Sequence, residues 1–174
     1  MTTRVFWFLV GVCALSAHAF TPHRLSAQER GATALADRER IQALVDGLKT
    51  RLEIPESVHV SIVASNALMM SVKAPVDAAD PFDLAVDASF LAHLTDVELE
   101  AAIAHELGHV WVFTHFPYLQ TEQLANEIAM RVVTRESLER LYDKVWARGT
   151  VKGDIAGFLG VQPAAGLGGA ESAR

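Results

Sequence analysis

The chain has 174 residues, a formal net charge of −6 and one cysteine, Cys13. An acidic balance without a basic run disfavours a nucleic-acid partner or an anionic membrane surface. One cysteine excludes an intramolecular disulfide framework, but the chain is long enough to bury a hydrophobic core without such crosslinks. The composition therefore predicts a single domain.

The first residues have the order of a secretory signal peptide. Arg4 supplies a positive charge, Val5 to Leu15 are apolar, and Ala17-His18-Ala19 is a small-x-small cleavage site. The apolar run is shorter than the roughly 20 residues that a bilayer-spanning helix needs. We expect residues 1–19 to be removed, with cleavage after Ala27 as the alternative. The mature protein should then be secreted or periplasmic, with membrane contact only through the signal peptide during export.

A helix and three short strands are predicted before the middle of the chain. The helix covers Gln28 to Leu52, where apolar residues recur at helical spacing. Alternating residues predict strands at Val58–Val63, Leu68–Lys73 and Phe82–Asp87. The first two are expected to form a hairpin through the turn Ser65-Asn66. The predicted fold class is α+β, a small sheet with an antiparallel edge followed by two helices that carry the site.

The most informative stretch is Ala101 to His115, which contains His105, Glu106 and His109 in the pattern H-E-x-x-H. On a helix, residues four apart project from one face, so the two imidazoles can hold one ion. Glu106 is placed beside them, where it can hold a water molecule and accept its proton. The pattern predicts the core of a zinc peptidase with one Zn²⁺ and with Glu106 as general base.

The surroundings of this pattern support a buried helix. Thr95 and Glu98 form a capping-box pattern that opens a mostly apolar run. Burying two histidines and a glutamate costs free energy unless a metal or hydrogen bonds satisfy them. The alternative is a helix whose two histidines are satisfied by hydrogen bonds in the core. Trp111 and Phe113, further along the helix, are expected to be core residues.

The segment from Asp96 to Val110 resembles the active-site helix of gluzincin metallopeptidases. The similarity is closest to the CAAX-prenyl and heat-shock membrane proteases and their small soluble relatives, the minigluzincins. In that group the third zinc ligand is a glutamate that opens a second helix, in the pattern E-x-x-A-D or E-x-x-A-N, and Glu122 to Asn126 fits this pattern. The resemblance covers residues 66–133. It implies Glu122 as third ligand and Asn126 as an outer partner that orients a ligand histidine.

The resemblance also implies a peptide-binding edge and an oxyanion donor. In the family an asparagine-alanine pair begins the strand that lines the cleft, and Asn66-Ala67 followed by Leu68 to Val72 is similar. A free edge can hold a peptide as an added strand, and an ordinary sheet edge is the equal alternative. Tyr118 is a candidate for donating a proton to the oxyanion, as a tyrosine or histidine does in many gluzincins.

His115 competes with Glu122 for the third ligand position. It lies six residues after His109, the spacing of the metzincin pattern H-E-x-x-H-x-x-G-x-x-H. That pattern needs a glycine where the chain turns sharply, and Val112 stands there in this sequence. A β-branched residue in an apolar run favours a continued helix, on which His115 points away from the other histidines. Glu122 is therefore the preferred ligand.

A second helical stretch is predicted from Thr121, its N-cap, to Trp146. Glycine and other small residues dominate the segment that follows, and they cannot bury much apolar surface. We expect a metallopeptidase domain over residues 28–148 and a flexible tail over residues 149–174. In a functional alternative, Phe158-Leu159 folds back into the cleft and limits access.

Together these features predict an exported zinc metalloendopeptidase that hydrolyses peptide or protein substrates through a metal-activated water. A peptide-binding module that keeps the fold and the metal but hydrolyses weakly is the alternative. The intact Glu106 argues against it. Metal-dependent hydrolysis of a non-peptide bond is a third reading that the motif leaves open.

Overall fold

The computed structural model describes residues 27–77, 79–148 and 153–160. Within these ranges the chain forms six helices and one three-stranded sheet, which confirms the predicted α+β class. The elements are α1 (Ala27–Arg51), β1 (Val58–Val63), β2 (Met70–Lys73), β3 (Phe82–Asp87), α2 (Ala88–Leu91), α3 (Asp96–His115), α4 (Glu122–Ala129), α5 (Arg135–Arg148) and α6 (Ile155–Leu159). The predicted signal peptide lies outside the described residues. Of the helices described, none combines the length and apolarity needed to cross a membrane.

Helix α1 begins and ends within one residue of its predicted bounds. Its second half packs on the core through the buried side chains of Ile41, Val45 and Leu48. Leu35 belongs to the predicted apolar stripe but is half exposed, as are most of its neighbours in the first half of the helix. Among the α1 side chains that the structure describes, from residue 31 on, those of the C-terminal half therefore make the contribution to the core.

The sheet has the strand order β1-β3-β2. β1 pairs with β3 in parallel, and β2 pairs with β3 antiparallel. The predicted hairpin between the first two strands is wrong, because β1 and β2 lie on opposite sides of β3. β2 is an antiparallel edge strand, as the predicted fold class requires, and it begins at Met70 instead of Leu68.

The connection from β1 to β2 crosses the end of β3 at Asn66. The Asn66 N–H donates to Asp87 Oδ2 at 2.9 Å, and its side-chain amide donates to the Ala85 carbonyl at 3.0 Å. Asp87 also accepts from the Phe90 N–H and so caps α2. A hydrogen bond from the Ser89 hydroxyl, joined by two from backbone N–H groups, lowers the pKa of Asp87 to about 2. This network fixes the crossing and places β2 on the far side of β3.

Helix α3 lies at the centre of the fold and contacts α1, β2, α4 and α5. Its N-terminus has the predicted capping box, with both bonds between Thr95 and Glu98 formed. Lys144 of α5 pairs with Glu98 at 2.6 Å and holds the two helices together at this end. Val112 is fully buried and the helix continues to His115, as the β-branched run predicted.

The helical stretch predicted from Thr121 to Trp146 consists of two helices instead of one. α4 ends at Ala129 and α5 begins at Arg135, with a turn between them. The Thr134 hydroxyl accepts a hydrogen bond from a backbone N–H in the first turn of α5 at 3.2 Å, which is how threonine favours a new helix start. The break lets α4 and α5 pack separately against α3.

Part of the segment predicted to be a flexible tail is folded. Asp154 caps α6 by accepting hydrogen bonds from two N–H groups of its first turn. Leu159 is buried, and Phe158 contacts two aromatic rings of α5. Residues 149–152 and 161–174 lie outside the described ranges, so the domain boundary stays a prediction.

Candidate metal centre

Helix α3 places His105 and His109 on one face. Their ring centroids are 4.8 Å apart and the rings are nearly perpendicular, at 87°. His115, the competing ligand candidate, lies elsewhere: its ring stacks on Trp111 at 3.9 Å, and its Nδ1 is 2.9 Å from the Trp111 carbonyl. The continued helix thus separates His115 from the other two histidines.

The third ligand-type side chain comes from the start of α4. The Thr121 hydroxyl caps this helix by accepting from the Leu124 N–H, and Glu122 is the first helical residue. The Glu122 carboxylate lies 3.2 Å from His105 Nε2 and 3.6 Å from His109 Nε2. One ligand atom from each of these three residues lies within 4.8 Å of the other two.

The two ligand-bearing helices approach each other closely at Gly108. A Cβ atom at this position would lie 2.2 Å from the Ala125 carbonyl oxygen and 2.8 Å from its carbon, closer than real Cβ contacts allow. Only glycine permits this backbone contact. The glycine between the two histidines therefore sets the distance at which α4 presents Glu122.

Each histidine also has a partner for its other ring nitrogen. His105 Nδ1 lies 2.8 Å from Asn126 Oδ1, and His109 Nδ1 lies 3.4 Å from Gln120 Oε1. An amide oxygen accepts only, so Nδ1 donates in each ring and Nε2 is the nitrogen left to face Glu122 or a metal. The contact of Asn126 with His105 is the one that the resemblance implied. Gln120 was not predicted as a site residue. It belongs to no recognised motif, and its one sequence signal is that it directly precedes Thr121, the N-cap of α4.

The charges of the cluster favour a cation. Hydrogen bonds with His105 and then His109 hold the pKa of Glu122 far below its usual range, so this carboxylate is ionised. Burial lowers the pKa of His109, but the hydrogen bond and charge of Glu122 outweigh it and the net pKa is raised. A fixed negative charge facing two imidazole nitrogens is the electrostatic environment that a divalent metal prefers.

Glu106 faces the cleft beside the two histidines and is only 8% exposed. Its Oε2 accepts a hydrogen bond of 2.9 Å from the Val72 N–H, on the edge of β2 that does not pair with β3. Burial raises the pKa of the Glu106 carboxyl, although the charges of nearby histidines oppose the shift. A carboxylate of raised pKa is a stronger base than one in water.

The cluster opens into a cleft of about 590 Å³. Its lining is largely apolar: Met70, Val72, Phe82, Phe90, Ala102, Phe113, Leu141, Val145, Trp146 and Phe158. Phe113, predicted to be core, is 42% exposed because it forms part of this surface. Apolar clefts with a few convergent polar groups are the usual form of a small-ligand or substrate site.

Two tyrosines differ in their relation to the cleft. Tyr118 is 98% exposed and is not one of the residues that line the cleft. Tyr142 of α5 does line it: its ring centroid lies 6.0 Å from that of His105, and its hydroxyl accepts from Asn126 Nδ2 at 2.7 Å. Burial raises the pKa of Tyr142, so its hydroxyl stays protonated. In the sequence, Tyr142 is one of several apolar residues at helical spacing, and this spacing did not indicate that it lines the cleft.

The residues present fit a zinc ion. Two imidazole nitrogens and one carboxylate oxygen form the donor set of catalytic zinc sites, in which a further position is left for water or substrate. His105, His109 and Glu122 supply these atoms within one small group, and both imidazoles have the outer partners that metal-binding histidines require. This group can hold a metal ion.

The chain matches no known family model and no curated protein. Among solved structures it is similar to the crystal structure of the metallopeptidase zymogen of Pyrococcus abyssi abylysin, with a TM-score of 0.46 and 16% sequence identity. The similarity covers 62% of this chain and 92% of that one.

Proposed function

We propose that this protein is an exported zinc metallopeptidase of the gluzincin type. The observation that carries the proposal is the convergence of His105, His109 and Glu122 beside the buried carboxylate of Glu106. These residues come from two helices and meet at one apolar cleft. The groups that we propose as ligands, general base and substrate space therefore lie in one place.

His105, His109 and Glu122 would hold one Zn²⁺ ion. When bound, zinc supplies Lewis acidity, which polarises a peptide carbonyl and acidifies water. Glu106 accepts the proton of the attacking water and passes it to the nitrogen of the leaving amine. Its raised pKa suits both steps, because a group that takes and then gives a proton works best when its pKa is near the working pH.

The substrate is proposed to lie along β2 as an extended peptide. β2 pairs with β3 along one edge, and on its other edge the Val72 N–H contacts Glu106. Peptides bind to such free edges by adding a strand. The base and the substrate would then be positioned by the same strand. The apolar cleft beside it favours a large apolar side chain near the bond that is cut.

The substitution Glu106→Gln tests this mechanism. We expect the variant to fold and to keep its zinc, because the amide retains the shape of the side chain. We expect hydrolysis of a fluorogenic peptide library to fall by a factor of about 10² or more, because the amide cannot accept a proton. Glu127→Gln is the matched control, since Glu127 is exposed on α4 and its carboxylate accepts a hydrogen bond from Gln123.

Equal hydrolysis by wild type and Glu106→Gln would contradict the peptidase mechanism. If neither protein hydrolyses peptides while both bind them with zinc present, the chain is a metal-containing peptide-binding module. A wild type that cleaves non-peptide esters but no peptides would indicate the third candidate function, metal-dependent hydrolysis of a non-peptide bond. The assay therefore separates all three candidate functions.

Export is proposed from the order of charged, apolar and small residues in 1–19. The mature protein should begin near Phe20 or Gln28 and should be recovered outside the cytoplasm. N-terminal sequencing of the recovered protein measures this directly. An intact Met1 in a membrane fraction would mean that the segment is an anchor.

A further inference from the structure

A chain of hydrogen bonds leads from the C-terminal part of the described structure to the candidate metal centre. The Phe158 carbonyl accepts from Asn126 Nδ2 at 2.9 Å. Asn126 Oδ1 in turn accepts from His105 Nδ1 at 2.8 Å. Residues 153–160, which we call the C-terminal segment, are thus one side chain removed from a ligand histidine.

These bonds fix which way the Asn126 amide faces. Its Nδ2 has two acceptors, the Phe158 carbonyl and the Tyr142 hydroxyl. Asn126 is fully buried, so water cannot replace a lost partner at low cost. With Nδ2 held in this way, Oδ1 must face His105, and His105 must carry its proton on Nδ1. His105 Nε2 then faces Glu122, 3.2 Å away.

Arg135 holds the C-terminal segment in place. Its two terminal nitrogens donate to the Leu159 carbonyl at 2.9 Å and the Gly160 carbonyl at 2.8 Å. Glu139 fixes the guanidinium by accepting from its Nε at 2.9 Å. The last carbonyls of a helix have no partner within the helix, so this fork supplies the bonds that α6 needs at its end.

Aromatic packing holds the other side of the segment. The Phe158 ring lies 5.2 Å from that of Tyr142 and 5.8 Å from that of Trp146, in edge-to-face arrangements. The chain enters this cluster at Gly153, where a Cβ atom would lie 2.7 Å from the rings of both Phe158 and Trp146. A side chain at the start of the segment would therefore have to displace these rings.

We propose that the C-terminal segment positions His105 for metal binding, with Asn126 as the intermediate. The segment is then part of the metal centre and not a free tail, and its Phe158 also lines the cleft. This inference rests on the proposed binding of Zn²⁺ by His105, His109 and Glu122. The inference adds Arg135 as a positioning residue. Its side chain bonds to Glu139 and to the C-terminal segment, and its effect on His105 passes through that segment.

The first test is Arg135→Gln in the full chain, with Arg140→Gln on the exposed face of the same helix as control. The Zn²⁺ dissociation constant is measured by competition with a chelator, on protein whose circular dichroism is native. We expect Arg135→Gln to weaken zinc binding about tenfold, the lower end of the range for losing an outer partner of a ligand. Arg140→Gln should bind zinc like wild type. Equal dissociation constants for the two variants would overturn the proposal.

A second pair of variants keeps the proposal testable if Arg135→Gln fails to fold. Gly153→Ala should push the segment off the aromatic rings and weaken zinc binding in the same way. Gly157→Ala is its control, because Gly157 is exposed and a Cβ there would have no neighbour closer than 3.6 Å. Zinc binding unchanged by Gly153→Ala would contradict a positioning role.

The Nδ1 proton of His105 gives a readout that a role in packing alone would not change. In metal-free wild type, NMR should show this proton protected from exchange by its bond to Asn126. We expect the protection to be lost in Arg135→Gln and Gly153→Ala and kept in both controls. Protection retained in the first two variants would refute the positioning role. A wild type that binds no Zn²⁺ would refute the proposed function, and the proton signal would still decide whether the segment orients His105.

Discussion

At the scale of single residues, one short stretch supplies the partners of the ring nitrogens of both histidines. Gln120 and Asn126 contact the Nδ1 atoms of His109 and His105, and Glu122 faces both Nε2 atoms. These three partners lie within seven residues around the start of α4, from Gln120 to Asn126. The tautomers and the third ligand are thus set by a single local structure, opposite a single face of α3.

The identity of the third ligand can be tested with two alanine substitutions. Glu122→Ala should reduce the zinc content of purified protein sharply, because it removes the only carboxylate that faces both imidazoles in the described part of the chain. His115→Ala should leave zinc content near wild type, since His115 stacks on Trp111 instead. Atomic absorption of dialysed protein measures both. The reverse result would assign the ligand set to the metzincin spacing.

The sequence predicted those site residues whose spacing is local and missed those that tertiary packing brings in. His105 and His109 share a face because the helical repeat requires it. Asn126 followed from a family pattern five residues long. Tyr142 and Gln120 could not be found in this way, because an apolar position on α5 and a loop amide carry no periodic signal. Long-range contacts decide their role.

At the scale of elements, the difference between local spacing and tertiary packing explains why the strands were predicted correctly and their pairing was not. Alternation of apolar and polar residues predicted all three strands, because each has a buried and a more exposed face. Alternation does not predict which strands pair, because a strand buries the same residues whether its neighbour is parallel or antiparallel. The pairing is decided at Asn66 and Asp87, which are 21 residues apart and bond across the end of β3.

The crossing of α3 and α4 gives a prediction for these two elements. Gly108→Ala should lower the free energy of unfolding by about 1 to 3 kcal/mol, the usual cost of overpacking, because the added Cβ meets the Ala125 backbone at 2.2 Å. It should also weaken zinc binding, since relief of the clash moves α4 and Glu122 away from α3. Urea unfolding and zinc competition measure the two effects.

Gly47→Ala in α1 is the matched control for this substitution. Gly47 is an exposed helical glycine with no atom within 4 Å of an added Cβ. Alanine in a helix interior is favoured over glycine by roughly 0.5 to 1 kcal/mol, so this variant should be slightly more stable than wild type. If Gly108→Ala were as stable as Gly47→Ala, the helices would not be in close contact at this point.

At the scale of the whole molecule, the two ligand-bearing helices are held by different parts of the fold. α3 is tied to α1 by the ion pair of Arg51 with Glu100 at 3.3 Å, and to α5 by that of Lys144 with Glu98. α4 contacts α3 and α6. A metal ion bound by residues of both helices would therefore add a link between α3 and α4 beyond their direct packing.

This arrangement predicts that zinc stabilises the whole fold. A ligand that binds only the folded chain, at 100 times its dissociation constant, adds about 2.7 kcal/mol to the free energy of unfolding. For a domain of this size each kcal/mol raises the melting temperature by roughly 2 to 4 °C, so wild type should melt roughly 5 to 11 °C higher with zinc than with a chelator. Because the ion needs a ligand from each helix, Glu122→Ala should lose most of this difference, while His115→Ala should keep it. Thermal unfolding followed by circular dichroism measures the shift. An equal zinc-dependent shift in wild type and Glu122→Ala would mean that the ion binds to α3 alone, and that α4 is not part of the metal centre.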